Sequence, residues 1–111
     1  MIAPLLGPLA ALSAAIAIAA AAFGAHGAEG KAAEWLRTGG LFQLIHAVAV
    51  IAILPAARGP AALLLAGGAV FGFSLYAMAL GGPRWLGAVT PIGGVLMIVG
   101  WLWAAWMFWR N

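Results

Sequence analysis

The sequence contains no cysteine and few charged side chains. The absence of cysteine excludes disulfide bonds, thiolate catalysis and cysteine-ligated zinc or iron–sulfur clusters. Charged residues make up 6% of the 111 residues, whereas ordinary soluble domains carry about 25%. The five bases and two acids are too few to cover a globule that faces water. The composition therefore predicts that the chain is dissolved in lipid.

The scarcity of acids also limits the chemistry that the chain can perform. Both acids, Glu29 and Glu34, lie in one polar segment, so no acid is available to orient a pair of Ser74 and His46 as a hydrolase requires. A haem or metal site would depend on His26 and His46, which we expect at unlike depths. The bases are scattered and form no stripe for a nucleic acid backbone. We therefore predict no catalytic residue, no metal, no cofactor and no nucleic acid partner.

Apolar residues are abundant instead, at 67% of the chain with a mean hydropathy of +1.14. They form four runs free of Asp, Glu, Lys and Arg, close to the ~20 residues that cross a bilayer, although the second run is shorter. Backbone groups in lipid must form hydrogen bonds internally, so each run is predicted to be a helix. The predicted spans are residues 4–24, 39–56, 61–81 and 85–109.

The connections between the runs predict how the helices are arranged. Short segments rich in Pro and Gly, residues 55–60 and 81–84, end one run and begin the next. Such turns favour antiparallel neighbours. No basic residue precedes the first run, so we expect a retained span rather than a cleaved secretory signal. The prediction is a single all-α domain, residues 1–111, folded as an up-down-up-down bundle of four transmembrane helices.

The longest polar segment, residues 25–38, allows two interpretations. Residues 28–37 form a short helix at the membrane surface in the first, with Trp35 and Leu36 inserted among the headgroups. The segment is a plain connecting loop in the second. The sequence does not decide between them. The bases favour this side as cytoplasmic by only three to two, with Lys31, Arg37 and Arg84 against Arg58 and Arg110.

Polar side chains of the predicted spans converge near this segment. Counted from residue 39, Gln43 and His46 lie about 6 and 10 Å deep, and Ser13 is nearly alone in the other half of the bilayer. Polar groups at membrane depth are costly unless paired, and they often mark function. They form either a polar pocket open towards residues 25–38 or a hydrogen-bond network that joins the helices. The candidate residues are His26, Gln43, His46, Ser74, Tyr76 and Thr90.

Small residues predict where the helices touch. Gly68 and Gly72 are four apart, and Gly93, Met97 and Gly100 share one helix face with Thr90. Small faces allow close approach where lipid removes the hydrophobic drive. The same pattern also suits a homo-oligomer, and the sequence leaves this open.

Several short segments of the sequence recur in a known pattern. The segments are Ala20–Gly27 (AAAFGAHG), Phe42-Gln43 with His46-Ala47, Phe71 with Ser74-Leu75-Tyr76, and Thr90–Gly94 (TPIGG) with Gly100-Trp101-Leu102. In their order and spacing they resemble the small bacterial membrane proteins catalogued as domain of unknown function 423. The resemblance covers essentially the whole chain, and implies several helical spans without an assigned activity. The family's motif residues map onto His26, Gln43, His46, Ser74, Tyr76, Thr90 and Pro91.

One departure from the family pattern bears on the polar residues. The family usually has a glycine just before the serine, where this chain has Phe73. The larger side chain is expected to narrow any pocket near Ser74. Phe42 fills a position at which the family usually has an aromatic residue.

These observations favour a non-enzymatic scaffold or accessory component, multi-pass in a bacterial inner (cytoplasmic) membrane, with lipid and a second copy or membrane protein as partners. The alternative is small-molecule, lipid or ion binding or transport through the polar pocket. A cofactor carrier that uses His46 is a third hypothesis. The chain resembles small multidrug-resistance transporters in size and layout, but those depend on a glutamate in the first span, which this chain lacks.

Overall fold

The computed structural model describes residues 3–111 and shows four long helices. No strand occurs within these residues, so the prediction of an all-α fold is confirmed. A short 3₁₀ helix, Arg84–Ala88, precedes the last of them. The long helices are α1 (Ala3–His26), α2 (Gly30–Ile53), α3 (Arg58–Ala79) and α4 (Thr90–Arg110).

The dimensions fit a membrane domain. All four helices are long and apolar enough to cross a bilayer, the last counted from Arg84. A helix of 24 residues, such as α1, is about 36 Å long, and the described chain measures 46 × 24 × 24 Å. Large apolar side chains such as Leu12 and Leu102 are exposed. An apolar exterior of this kind is stable in lipid and would aggregate in water.

The second helix begins at Gly30, nine residues before the predicted span. Residues 30–37 are therefore neither a separate surface helix nor a loop, but the first two turns of α2. Ala33 and Leu36 are buried in these turns. They pack so closely on Gly24 of α1 that a Cβ there would lie 2.9 Å from Leu36 Cβ. Packing on α1 thus extends the helix beyond its apolar stretch, and Gly30, at φ +62°, provides the reversal of the chain.

Consecutive helices run antiparallel. The first pair meets at Gly24 with Leu36, Ala17 with Gly40, and Gly7 with Leu54. The third pair meets at Phe71 with Gly93, Gly67 with Met97, and Leu64 with Gly100. In each set the residue numbers fall along one helix as they rise along the other, as in antiparallel packing. The up-down-up-down path across a bilayer stays a prediction.

Glycines of α3 divide between its two neighbours. Gly67 faces α4, where its Cβ would lie 2.8 Å from the Gly93 carbonyl oxygen. Gly68 and Gly72 face α2 instead, near His46 and Gln43. Because adjacent glycines of α3 point to different neighbours, α2 and α4 can both approach its backbone closely.

An apolar core lies towards the opposite end of the bundle from Gly30. Ala10, Val50, Ala61 and Leu64 form a buried cluster drawn from α1, α2 and α3. Two of the four residues are alanines, so the first three helices pack closely there.

Close packing of α3 and α4 predicts different effects for two adjacent glycines. A Cβ at Gly93 would lie 2.5 Å from the Phe71 backbone nitrogen, whereas nothing lies within 4 Å of a Cβ at Gly94. We expect Gly93→Ala to destabilise the protein by about 1–3 kcal/mol through overpacking. Gly94→Ala is expected to be neutral or stabilising, because alanine favours the helix. Unfolding midpoints in detergent compare the two, and equal midpoints would contradict this packing.

Candidate functional site

A buried amide joins three helices at mid-height in the bundle. Gln43 of α2 is only 1% exposed. Its Nε2 donates to Ser13 Oγ of α1 over 2.8 Å, and its Oε1 accepts from the Tyr76 hydroxyl of α3 over 2.6 Å. Glutamine suits this position because one side chain offers both donor and acceptor. The result is a polar tie between residues 30 or more positions apart.

Glycines make room for this tie. A Cβ at Gly72 would lie 3.1 Å from Gln43 Oε1 and 3.2 Å from the Tyr76 hydroxyl. A Cβ at Gly39 would lie 2.8 Å from Tyr76 Cε1. The tyrosine ring therefore lies in a slot between two glycines, and this slot directs its hydroxyl towards the amide.

A second bond connects α2 with α4 through His46. Trp101 Nε1 donates to His46 Nε2 over 3.0 Å, and His46 Nδ1 lies 2.7 Å from the Phe42 carbonyl oxygen. An indole N–H can only donate, so Nε2 must accept. The proton of the neutral imidazole therefore sits on Nδ1 and is donated to Phe42. Both ring nitrogens are thus already paired within the bundle.

Ser74 and Thr90 form the third pair, between α3 and α4. Their hydroxyl oxygens are 2.6 Å apart. Ser74 also reaches the Phe71 carbonyl oxygen over 3.0 Å, and Thr90 reaches that of Leu86 over 3.4 Å. Each hydroxyl has one proton, so the shorter carbonyl bond favours Thr90 donating to Ser74 and Ser74 donating to Phe71.

His26 lies apart from the other five predicted residues. It is the exposed last residue of α1. No side-chain hydrogen bond connects it to Gln43, His46, Ser74, Tyr76 or Thr90 in the described chain. The other five residues do not form one cluster. They belong to three separate contacts: Gln43 with Tyr76 and Ser13, His46 with Trp101, and Ser74 with Thr90.

Gln43 and His46 lie farther along α2 than a count from residue 39 gives, because the helix begins at Gly30. Counted from Gly30, Gln43 is about 20 Å along the helix. Its partner Ser13 is near the middle of α1, and Trp101 is near the middle of α4. The polar contacts of these two residues therefore lie at mid-height and not in one half of the bundle.

Ser13 and Trp101 are the residues that sequence reasoning missed. Ser13 is the only polar side chain between Pro4 and Phe23, and a lone hydroxyl in an apolar helix requires a partner. Trp101 is too deep for an aromatic belt at the membrane surface, so its N–H also requires an acceptor. Both signals were present in the sequence, although neither identifies the partner.

Two grooves lie beside these contacts. The first, which we call the α1–α3 groove, has a volume of about 330 Å³ and is apolar except for the buried Ser13 and Gln43. The second, the basic groove, has about 420 Å³ and includes Thr90. His46, Ser74 and Tyr76 line neither. The basic groove is lined by Lys31, Trp35, Leu75, Met78, Arg84, Gly87, Thr90 and Pro91.

Phe73 does not narrow a space at Ser74, contrary to expectation. Its side chain is exposed, lines the α1–α3 groove and stands edge-on to the Tyr76 ring with centroids 5.8 Å apart. Adjacent helical residues point about 100° apart, so Phe73 and Ser74 face different neighbours. The departure from the family pattern therefore affects the α1–α3 groove.

The described residues bring no three His, Asp or Glu side chains together as ligands for a metal ion. Glu29 and Glu34 lie near the start of α2, far along the helix from His46. His46 is held by Trp101 and Phe42 as described.

The tie at Gln43 predicts an energetic coupling that a double-mutant cycle can measure. Gln43→Leu leaves the Tyr76 hydroxyl without its acceptor, and Tyr76→Phe leaves Gln43 Oε1 without its donor. We expect each variant to lower the free energy of unfolding by about 0.5–2 kcal/mol. The double variant should lose less than the sum, because neither polar group is then stranded. Strict additivity in detergent unfolding would contradict the bond.

The bond of Trp101 to His46 predicts a difference between two tryptophans of α4. Trp101 and Trp103 are 41% and 42% exposed, but Trp103 packs on Gly59 instead. Trp101→Phe should cost about 1–2 kcal/mol more than Trp103→Phe, because it leaves His46 Nε2 buried without a donor. The two unfolding midpoints test this, and a larger loss for Trp103→Phe would refute it.

Comparisons with known proteins identify a family for this chain. Residues 20–94 match the family described as "Protein of unknown function (DUF423)". The chain is 39% identical over 107 residues to a UPF0382 membrane protein of Staphylococcus epidermidis, covering 85% of this chain and 86% of the relative. It is 37% identical over 105 residues to a UPF0382 membrane protein of Haemophilus influenzae, covering 85% of each.

A more distant relative, the UPF0382 membrane protein YwdK of Bacillus subtilis, is 32% identical over 108 residues, covering 85% of this chain and 87% of the relative. No solved structure matches the chain. The resemblance inferred from the sequence motifs is therefore confirmed. The family match and these relatives show that the chain is an integral membrane protein of the DUF423 family, which has no assigned activity.

Proposed function

We propose that the protein is a non-enzymatic component of the bacterial inner (cytoplasmic) membrane, a scaffold or an accessory subunit of a membrane protein. The observation that carries this proposal is the pairing of the polar side chains within its helices. Gln43 joins three helices, His46 joins a fourth, and Ser74 bonds to Thr90. These side chains stabilise the bundle.

The local geometry of Ser74 and His46 supports a non-enzymatic role. A serine nucleophile requires a base within hydrogen-bond reach. Ser74 is bonded to Thr90 and Phe71 instead. The His46 nitrogen that would act as a base accepts the Trp101 N–H. Neither group is poised to move a proton to or from a substrate.

The outer helices offer the surface for a protein partner. α1 packs mainly on α2, and α4 packs on α3, so both have wide faces towards lipid. Val95, Ile98 and Leu102 are exposed along α4. Association in lipid depends on close packing of faces rather than on a hydrophobic drive. These faces are where we place the contact with a second copy of this chain or with another membrane protein.

The alternative, binding or transport of a small molecule, lipid or ion, is favoured by one feature. The α1–α3 groove is almost entirely apolar, and its two polar lining residues, Ser13 and Gln43, are buried and bonded to each other. A lipid chain or an apolar small molecule suits such a groove. Transport through all six predicted residues has less support, because His46, Ser74 and Tyr76 line neither groove.

A stability-matched series of variants tests the proposal. His46→Ala and Ser74→Ala remove polar groups, while Gly93→Ala perturbs packing without changing any polar group. If the polar groups only stabilise the bundle, the loss of fitness will follow the loss of folded protein equally in all three. The measurements are membrane abundance and competitive growth in a strain whose only copy is the variant, under a condition that impairs the deletion strain.

One pattern would overturn the structural role. Suppose that His46→Ala or Ser74→Ala kept normal abundance and melting behaviour, yet behaved like the deletion. That residue would then act directly on a ligand or substrate. Gly93→Ala, with full loss of fitness only when abundance falls, is the matched control.

A further inference from the structure

The basic groove lies where three helical segments begin. Lys31 and Trp35 come from the first turns of α2, Arg84 from the start of the 3₁₀ helix, and Thr90 from the start of α4. Its volume of about 420 Å³ exceeds that of the α1–α3 groove. None of the hydrogen bonds that join Gln43 and His46 to their partners involves it. Of the polar contacts described above, only the Ser74–Thr90 pair reaches the groove, through Thr90.

The charge of the groove is of one sign. Lys31 and Arg84 both line it, and no acidic side chain of the described residues does so. Helix starts carry a partial positive charge from free N–H groups. The start of α2, which carries Lys31, has no side-chain cap hydrogen bond. The side chains and the backbone therefore both favour an anion.

The other walls of the groove indicate how the anion is presented. Leu75, Met78 and Pro91 form an apolar wall, and Trp35 is half-buried beside Lys31. Tryptophan next to lysine at the end of a span is typical of headgroup depth. An anionic group joined to an apolar body fits this pairing better than a free ion.

We propose that the basic groove binds a negatively charged phosphate group, held between the Lys31 ammonium and the Arg84 guanidinium. An anionic phospholipid supplies such a phosphate with its acyl chains alongside the apolar wall. Basic pockets between membrane helices bind anionic headgroups through the same physics. A soluble phosphate ester offers the same charged group without the apolar body. This inference does not rest on the scaffold role.

Native mass spectrometry of the intact chain, released from nanodiscs of phosphatidylcholine and phosphatidylglycerol, tests the proposal. Wild type should retain phosphatidylglycerol in preference to phosphatidylcholine. Lys31→Gln and Arg84→Gln should each reduce the retained fraction about fivefold, as expected for one cation near a headgroup. Arg58→Gln is the matched control, because Arg58 is an exposed cation at the start of α3 and lies outside the groove. It should retain the wild-type preference.

The source of the phosphate is decided by competition. Displacement of phosphatidylglycerol by millimolar glycerol phosphate, with equal binding in lipid-free detergent, would support a soluble ester as the ligand. Failure of glycerol phosphate to compete would support the lipid headgroup. Equal retention of the two lipids by wild type, or an equal effect of Arg58→Gln, would overturn the proposal. Melting midpoints of the three variants, expected within a degree or two of wild type, exclude misfolding as the cause.

Discussion

The arrangement of the first three helices depends on one side chain, the amide of Gln43. It is buried from both water and lipid, so its donor and its acceptor must be met within the bundle. Ser13 and Tyr76 meet them from either side. Rotation of α1 or α3 about its own axis would remove one of these partners. The amide therefore fixes which faces of two helices point inwards.

Such a constraint matters because the helices are apolar on all sides. In a soluble bundle the hydrophobic effect selects the inner face of each helix. Here the exposed Leu12, Ile45 and Leu102 are as apolar as the buried Leu64 and Val50, and lipid accepts all of them. Close approach at glycines and a few hydrogen bonds must select the faces instead. Close approach and hydrogen bonding coincide at Gly72, which lies against both Gln43 and Tyr76.

The polar side chains inside the bundle bond to one another, and the charged side chains Lys31 and Arg84 lie at one end of it. The first turns of α2 extend beyond its apolar stretch and carry Lys31 to the side of Arg84. That juxtaposition follows from the packing of Leu36 on α1, which makes these turns helical. The contact that makes residues 30–37 part of α2, rather than a surface helix or a loop, therefore also builds the basic groove.

The sequence by itself determined four apolar helices, the absence of cysteine chemistry, membership of the family and the polar residues Gln43, His46, Ser74, Tyr76 and Thr90. These properties depend on composition or on short segments, so they can be recognised without knowing which residues are in contact. Only the tertiary structure decided that Ser13 bonds to Gln43, that Trp101 bonds to His46, and that α2 begins at Gly30. The physical reason is that each depends on how one helix is rotated and raised against another. Apolarity on every side of a helix leaves both quantities open until the helices touch.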